Sequence, residues 1–109
     1  MILLILSALS AALAIAAGAF GAHGLSDPKS VEYLKTGGLY QMVHAVAVIA
    51  LAEQMRGPAW LLLIGAAIFA GTLYVMAVGG PRWLGAVTPI GGTLMIAGWL
   101  WAAWSFARG

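Results

Sequence analysis

Apolar residues run along this chain in four blocks, divided by short joints rich in polar residues, glycine and proline. The blocks cover Met1 to Ala22, about Gly38 to Ala52, Ala59 to Val78, and about Leu84 to Phe106. A helix rises about 1.5 Å per residue and needs roughly 20 residues to cross ~30 Å of hydrocarbon. Three blocks meet that length directly. The second meets it once its flank is included. Ser26-Asp27-Pro28 is a helix-start signal, with Asp27 as N-cap and Pro28 at the first helical position. This helix then begins in the interface among Lys29, Glu32 and Lys35 and enters the bilayer with a bend at Gly37-Gly38. The pattern predicts helices over about 1–22, 28–55, 59–79 and 84–106 in a single domain, 1–109. The fold class is an all-α membrane protein, a four-transmembrane-helix bundle with an interfacial extension preceding helix two.

The joints sharpen the topology. Gln54-Met55-Arg56-Gly57-Pro58 reads as a tight turn, which makes helices two and three antiparallel neighbours. Gly79-Gly80-Pro81-Arg82 ends the third helix, and Trp83 reads as an interfacial anchor, as do Trp104 and Arg108 at the opposite end. Small residues recur every four positions in the first helix, at Ser10, Ala14, Gly18 and Ala22, and predict a close-packing face. The first block has no positive n-region and is too long for a signal-peptide core, so it reads as a retained helix. The face carrying Lys29, Lys35 and Arg82 outnumbers the one carrying Arg56 and Arg108. That balance places the former toward the cytoplasm and both termini outside.

Composition agrees with the pattern. The chain is 63% hydrophobic and 7% charged, which leaves too few charges to solvate a small water-soluble domain. Five basic residues stand against three acidic ones, with no cluster of four or more cations. Nucleic acid is therefore not an expected partner. Without cysteine, no disulfide, thiolate nucleophile or Cys-based metal site can form.

Charges avoid the apolar blocks, so candidate chemistry within the membrane falls to uncharged polar groups. Gln41 and His44 are three apart on one face of helix two, and Tyr40 lies four before His44. Glutamine and imidazole at membrane depth need partners, either a ligand or neighbouring helices. His23 ends the first helix. Its position and that of His44 on one membrane side would permit haem or metal ligation only without carboxylate or thiolate support, so neither is expected. In helix three, Thr72 can bond back to its own helix and Tyr74 requires a hydroxyl partner if buried. Helix four opens with Thr88 as N-cap and Pro89 at its first position, followed by Gly91-Gly92 for close packing. Alternating topology gathers His23, Tyr40, Gln41, His44, Tyr74 and Thr88 toward one leaflet. No catalytic triad, zinc-protease motif or intramembrane carboxylate pair is present, and no enzymatic activity is expected.

Four motifs, GAFGAHGL, YQMVHA, FAGTLY and TPIGGTLMIAGW, occur in this order at the end of helix one and within helices two, three and four. Together they resemble a family of small membrane proteins known as domain of unknown function 423. That family includes bacterial inner-membrane proteins and the eukaryotic transmembrane protein 256 group. The resemblance implies about four membrane helices and supplies no activity. One departure stands before Tyr40-Gln41, where the family often has alanine and this chain reads Thr36-Gly37-Gly38-Leu39.

The functional expectation is a structural or accessory subunit of a membrane assembly, or a self-associating bundle, lodged in a lipid bilayer such as the bacterial inner membrane. The alternative is a small transporter, channel or lipid- or quinone-binding protein built on the polar cluster.

Overall fold

A computed structural model describes all 109 residues. Four long helices form it: α1 (Ile2–His23), α2 (Pro28–Leu51), α3 (Arg56–Ala77) and α4 (Thr88–Arg108), with a 3₁₀ turn at Arg82–Ala86 before α4. All four are long and apolar enough to cross a membrane. Each packs on the next in sequence, and α1 also touches α3. α1 and α4 do not pack together, so the expected bundle is open rather than closed. Lipid chains are as apolar as the helix faces they would cover, and no water-driven penalty forces the outer helices together.

Burial is inverted relative to a water-soluble protein. The buried positions are dominated by alanine, glycine and a few polar groups, including Ser7, Gln41, His44 and Thr72. Leu9, Leu13, Ile15, Val46, Ile96 and Leu100 face outward instead. A compact apolar cluster lies where α1 and α3 begin and α2 and α4 end. Leu3, Val48, Leu51, Ala59, Leu62 and Ala102 meet there.

Local chemistry explains two helix ends in particular. Asp27 caps α2: its carboxylate accepts from the Ser30 backbone N–H at 3.0 Å, and Pro28 follows at the first helical position. The end of α3 is a paired C-terminal motif. Gly79 adopts φ +95°, the Gly80 N–H donates to the Val75 carbonyl, and the Gly79 N–H donates to that of Met76. Only glycine enters this left-handed region without a Cβ penalty.

Several boundaries differ from the sequence reading. α2 stops at Leu51 rather than near 55, and α3 begins at Arg56 rather than Ala59. Pro58 therefore lies inside the first turn of α3, where its missing N–H removes no intrahelical bond. The segment near 84 is a 3₁₀ turn, and α4 starts only at Thr88. Nor is Thr88 the N-cap. Val87 holds that position, and the Thr88 hydroxyl donates to the Leu84 carbonyl instead.

Two glycine pairs also behave differently from expectation. α2 runs uninterrupted through Gly37-Gly38. A Cβ on Gly37 would come within 2.7 Å of the Tyr74 ring, and one on Gly38 within 3.3 Å of the Ala14 carbonyl. These glycines admit a ring and a neighbouring backbone. In the second pair the roles divide. Gly91 is pressed onto α3, where a Cβ would meet the Gly65 carbonyl and the Phe69 amide at 2.5 Å. Gly92 has only Phe69 Cδ1, at 4.0 Å. The four-residue row on α1 divides similarly: Ala14 is buried and Ala22 exposed, while Leu3, Ser7 and Gly21 join Ala14 at the interface. Steps of four residues advance about 40° around a helix, so three steps carry a row to another face.

Candidate functional site: a polar network within the helices

Gln41 is the junction of three helices. It lies on α2, 5% exposed. Its side-chain amide Nε2 donates to Ser10 Oγ of α1 at 2.9 Å, and its Oε1 accepts from the Tyr74 hydroxyl of α3 at 2.6 Å. Gly37 provides the space over which the Tyr74 ring lies on its way to Gln41. Both ends of the amide are thus engaged by side chains that would otherwise be unpaired in hydrocarbon.

His44, one turn further along α2, is also buried and uses both ring nitrogens. Nδ1 lies 2.7 Å from the Tyr40 carbonyl, and Nε2 lies 3.0 Å from Trp99 Nε1 of α4. A carbonyl can only accept and an indole N–H can only donate, so the ring carries its hydrogen on Nδ1 and leaves Nε2 as acceptor. The Trp99 ring meets the imidazole at 64° with centroids 5.8 Å apart. This side-chain bridge joins α2 to α4 although the two helices do not otherwise pack. Tyr40 packs on Phe69 of α3, with ring centroids 4.8 Å apart. Its own ring is half exposed.

A third polar contact ties α3 to the start of α4. The Thr72 and Thr88 hydroxyl oxygens are 2.6 Å apart. Thr72 also reaches the Ile68 and Phe69 carbonyls of its own helix. Ser7 is the exception to this economy: fully buried on α1, its hydroxyl has no hydrogen-bond partner.

The candidate residues do not form one cluster. Tyr40, Gln41, His44 and Tyr74 are gathered by the bonds of Gln41 to Ser10 and Tyr74 and of His44 to the Tyr40 carbonyl and Trp99. Thr88 lies apart from Gln41 and His44 and meets Thr72 instead. His23 ends α1 and is exposed. His44 lies 16 residues beyond Pro28, roughly 24 Å along α2, so the two histidines do not share a site. Pro89 occupies the first turn of α4, and Gly91 serves the seam with α3.

Two network members were hidden in the sequence. In the sequence Ser10 is marked only as a small residue, and Trp99 is one of three tryptophans between residues 99 and 104. Trp99 lies nine residues before Arg108, about 14 Å inward along α4. That depth was the available sign that it is no interfacial anchor.

The inverted burial, the four spanning helices and this internally satisfied network define a small integral membrane protein. The family model described as a protein of unknown function, DUF423, matches residues 17–92. The chain belongs to this family. It is 40% identical to a UPF0382 membrane protein of Staphylococcus saprophyticus, with 91% of each chain covered. It is 38% identical to the Bacillus subtilis UPF0382 membrane protein YwdK, covering 91% of this chain and 90% of the relative. Identity to the Escherichia coli UPF0382 inner membrane protein YgdD is 39%, covering 89% and 82%. No solved structure matches the chain.

Proposed function

We propose that this protein is a structural component of the cell membrane, acting as an accessory subunit of a larger assembly or as a self-associating scaffold, without enzymatic activity. The observation that carries this reading is the internal closure of the polar network. Both ends of the Gln41 amide and both nitrogens of His44 are engaged by the protein's own helices. Groups held this way pin helices together and have little capacity left for a substrate. The open bundle adds support, since α1 and α4 present long apolar faces that another membrane helix could cover. The inner-membrane name of the Escherichia coli relative supports placement in the bacterial inner membrane.

Native mass spectrometry of the protein in mild detergent tests the reading. A stoichiometric partner subunit or a defined homo-oligomer is expected. A monomer without any partner subunit would refute it, whether or not it carries a lipid.

One observation favours the alternative, a small lipid- or quinone-binding protein or transporter. The half-exposed Tyr40 has no internal partner for its hydroxyl and stands beside His44. The variant Gln41→Ala/His44→Ala separates the readings. A pinning role lowers stability, whereas a ligand role leaves the fold intact and abolishes binding or flux.

A further inference from the structure

Apart from this network, a cavity lies at one end of the helices. A cleft of about 830 Å³ opens between the start of α2 and the connection from α3 to α4. Its rim carries Lys29 and Arg82, distant in sequence and brought together only by the fold. The one carboxylate on the rim, Asp27, is committed to its own helix. Its Oδ2 accepts from the backbone N–H and the hydroxyl of Ser30, each at 3.0 Å. The carboxylate keeps its negative charge, but Lys29 and Arg82 outnumber it, so the lining carries a net positive charge. Lys29 Nζ stands 5.8 Å from the centroid of the Tyr33 ring, a second rim residue. Leu73 and Met76 add apolar side chains to the lining. The exposed Trp83 beside Arg82 is an aromatic residue of the kind that sits at headgroup level.

A cavity at the helix ends whose lining combines two cations with apolar side chains suits a phosphate-bearing amphiphile. We propose that this cleft binds an anionic phosphate group, held by Lys29 and Arg82. This inference is independent of the structural role proposed above. It draws on residues outside the polar network, and either could fail alone.

The test uses the full chain in a nonionic detergent, probed separately with phosphatidylglycerol and with inorganic phosphate. Adducts are counted by native mass spectrometry, and protection is read by thermal melting at fixed ionic strength. The wild type is expected to retain one phosphatidylglycerol. Lys29→Gln/Arg82→Gln is expected to lower the retained fraction about tenfold, since each cation near an anionic headgroup contributes severalfold. Arg56→Gln/Arg108→Gln removes the same charge from the other end and should match the wild type. Protection by inorganic phosphate without a lipid adduct, lost in the same double variant, would uphold the phosphate site and identify a free ion as its source. Equal retention of both probes by Lys29→Gln/Arg82→Gln overturns the proposal, as does an equal loss in Arg56→Gln/Arg108→Gln. Lys29 and Arg82 are both exposed, so their removal should leave the far-ultraviolet circular dichroism unchanged. If the double variant loses its helical signal, Lys29→Gln alone is compared at an expected severalfold loss.

Discussion

The seam between α3 and α4 and the junction around Gln41 hold the same kind of helix together by opposite means. At the seam, backbone meets backbone. Gly65 and Gly91 face each other so closely that a Cβ on either would strike main-chain atoms of the other helix within 3 Å. At the junction, side chains reach from helix to helix, and one amide ties α1, α2 and α3. The first contact depends on shape and tolerates almost no added atom. The second depends on hydrogen bonds, which in membranes are worth about 0.6 kcal/mol on average and rarely above about 1.7. The comparison teaches that the feature with the most conspicuous chemistry need not be the one on which the fold depends most.

The largest effect should come from the seam. Gly91→Val is expected to destabilise the protein by about 3 kcal/mol or more, because backbone atoms cannot move aside as a flexible side chain can. Reversible unfolding in mixed detergent micelles measures this. Its neighbour is the control: Gly92→Ala should be neutral or raise stability by up to about 1 kcal/mol through helix propensity. Equal losses at the two positions would dissolve the contrast drawn here.

At the junction, Gln41→Leu should lower stability by about 1–2 kcal/mol, leaving Ser10 and Tyr74 without their partner. A double-mutant cycle with Tyr74→Phe should return a coupling of about 0.6–1.7 kcal/mol. A coupling of zero would mean that the 2.6 Å contact contributes nothing net. Trp99→Phe probes the outer bridge and should cost about 0.6 kcal/mol beyond the change in ring packing. Nitrogen NMR of His44 should show hydrogen on Nδ1 in the wild type. In the variant, the acceptor Nε2 should lose the signature of its indole donor. The smallest effect has the opposite sign. Ser7→Ala removes a buried hydroxyl with no partner, and stability should hold or rise by up to about 1 kcal/mol.

Much of this was legible in local sequence. Asp27 and Pro28 mark the start of α2 because capping is decided by neighbours a few residues away. Gln41 and His44 stood out as polar groups in an apolar block. Their partners did not, since Ser10 and Trp99 carry no mark that assigns them to a particular neighbour. Gly37-Gly38 illustrates the limit. In sequence the pair suggests a bend, whereas the folded helix is unbroken there and uses the missing side chains to admit Tyr74 and the backbone of α1. A glycine pair has the same sequence in either role, and only the neighbour distinguishes them.

The sequence by itself determined that four helices form and span a membrane. Each segment's apolar length sets its preference for the bilayer independently of the others, and caps and turns are local. Tertiary structure decided how each helix is rotated about its axis, and hence which small residues meet and which donor finds which acceptor. Several faces of each helix carry small residues, and one residue of rotation turns a helix by about 100°. Only the combined fit of Gly65 on Gly91, Tyr74 over Gly37 and Gln41 between Ser10 and Tyr74 selects a single arrangement.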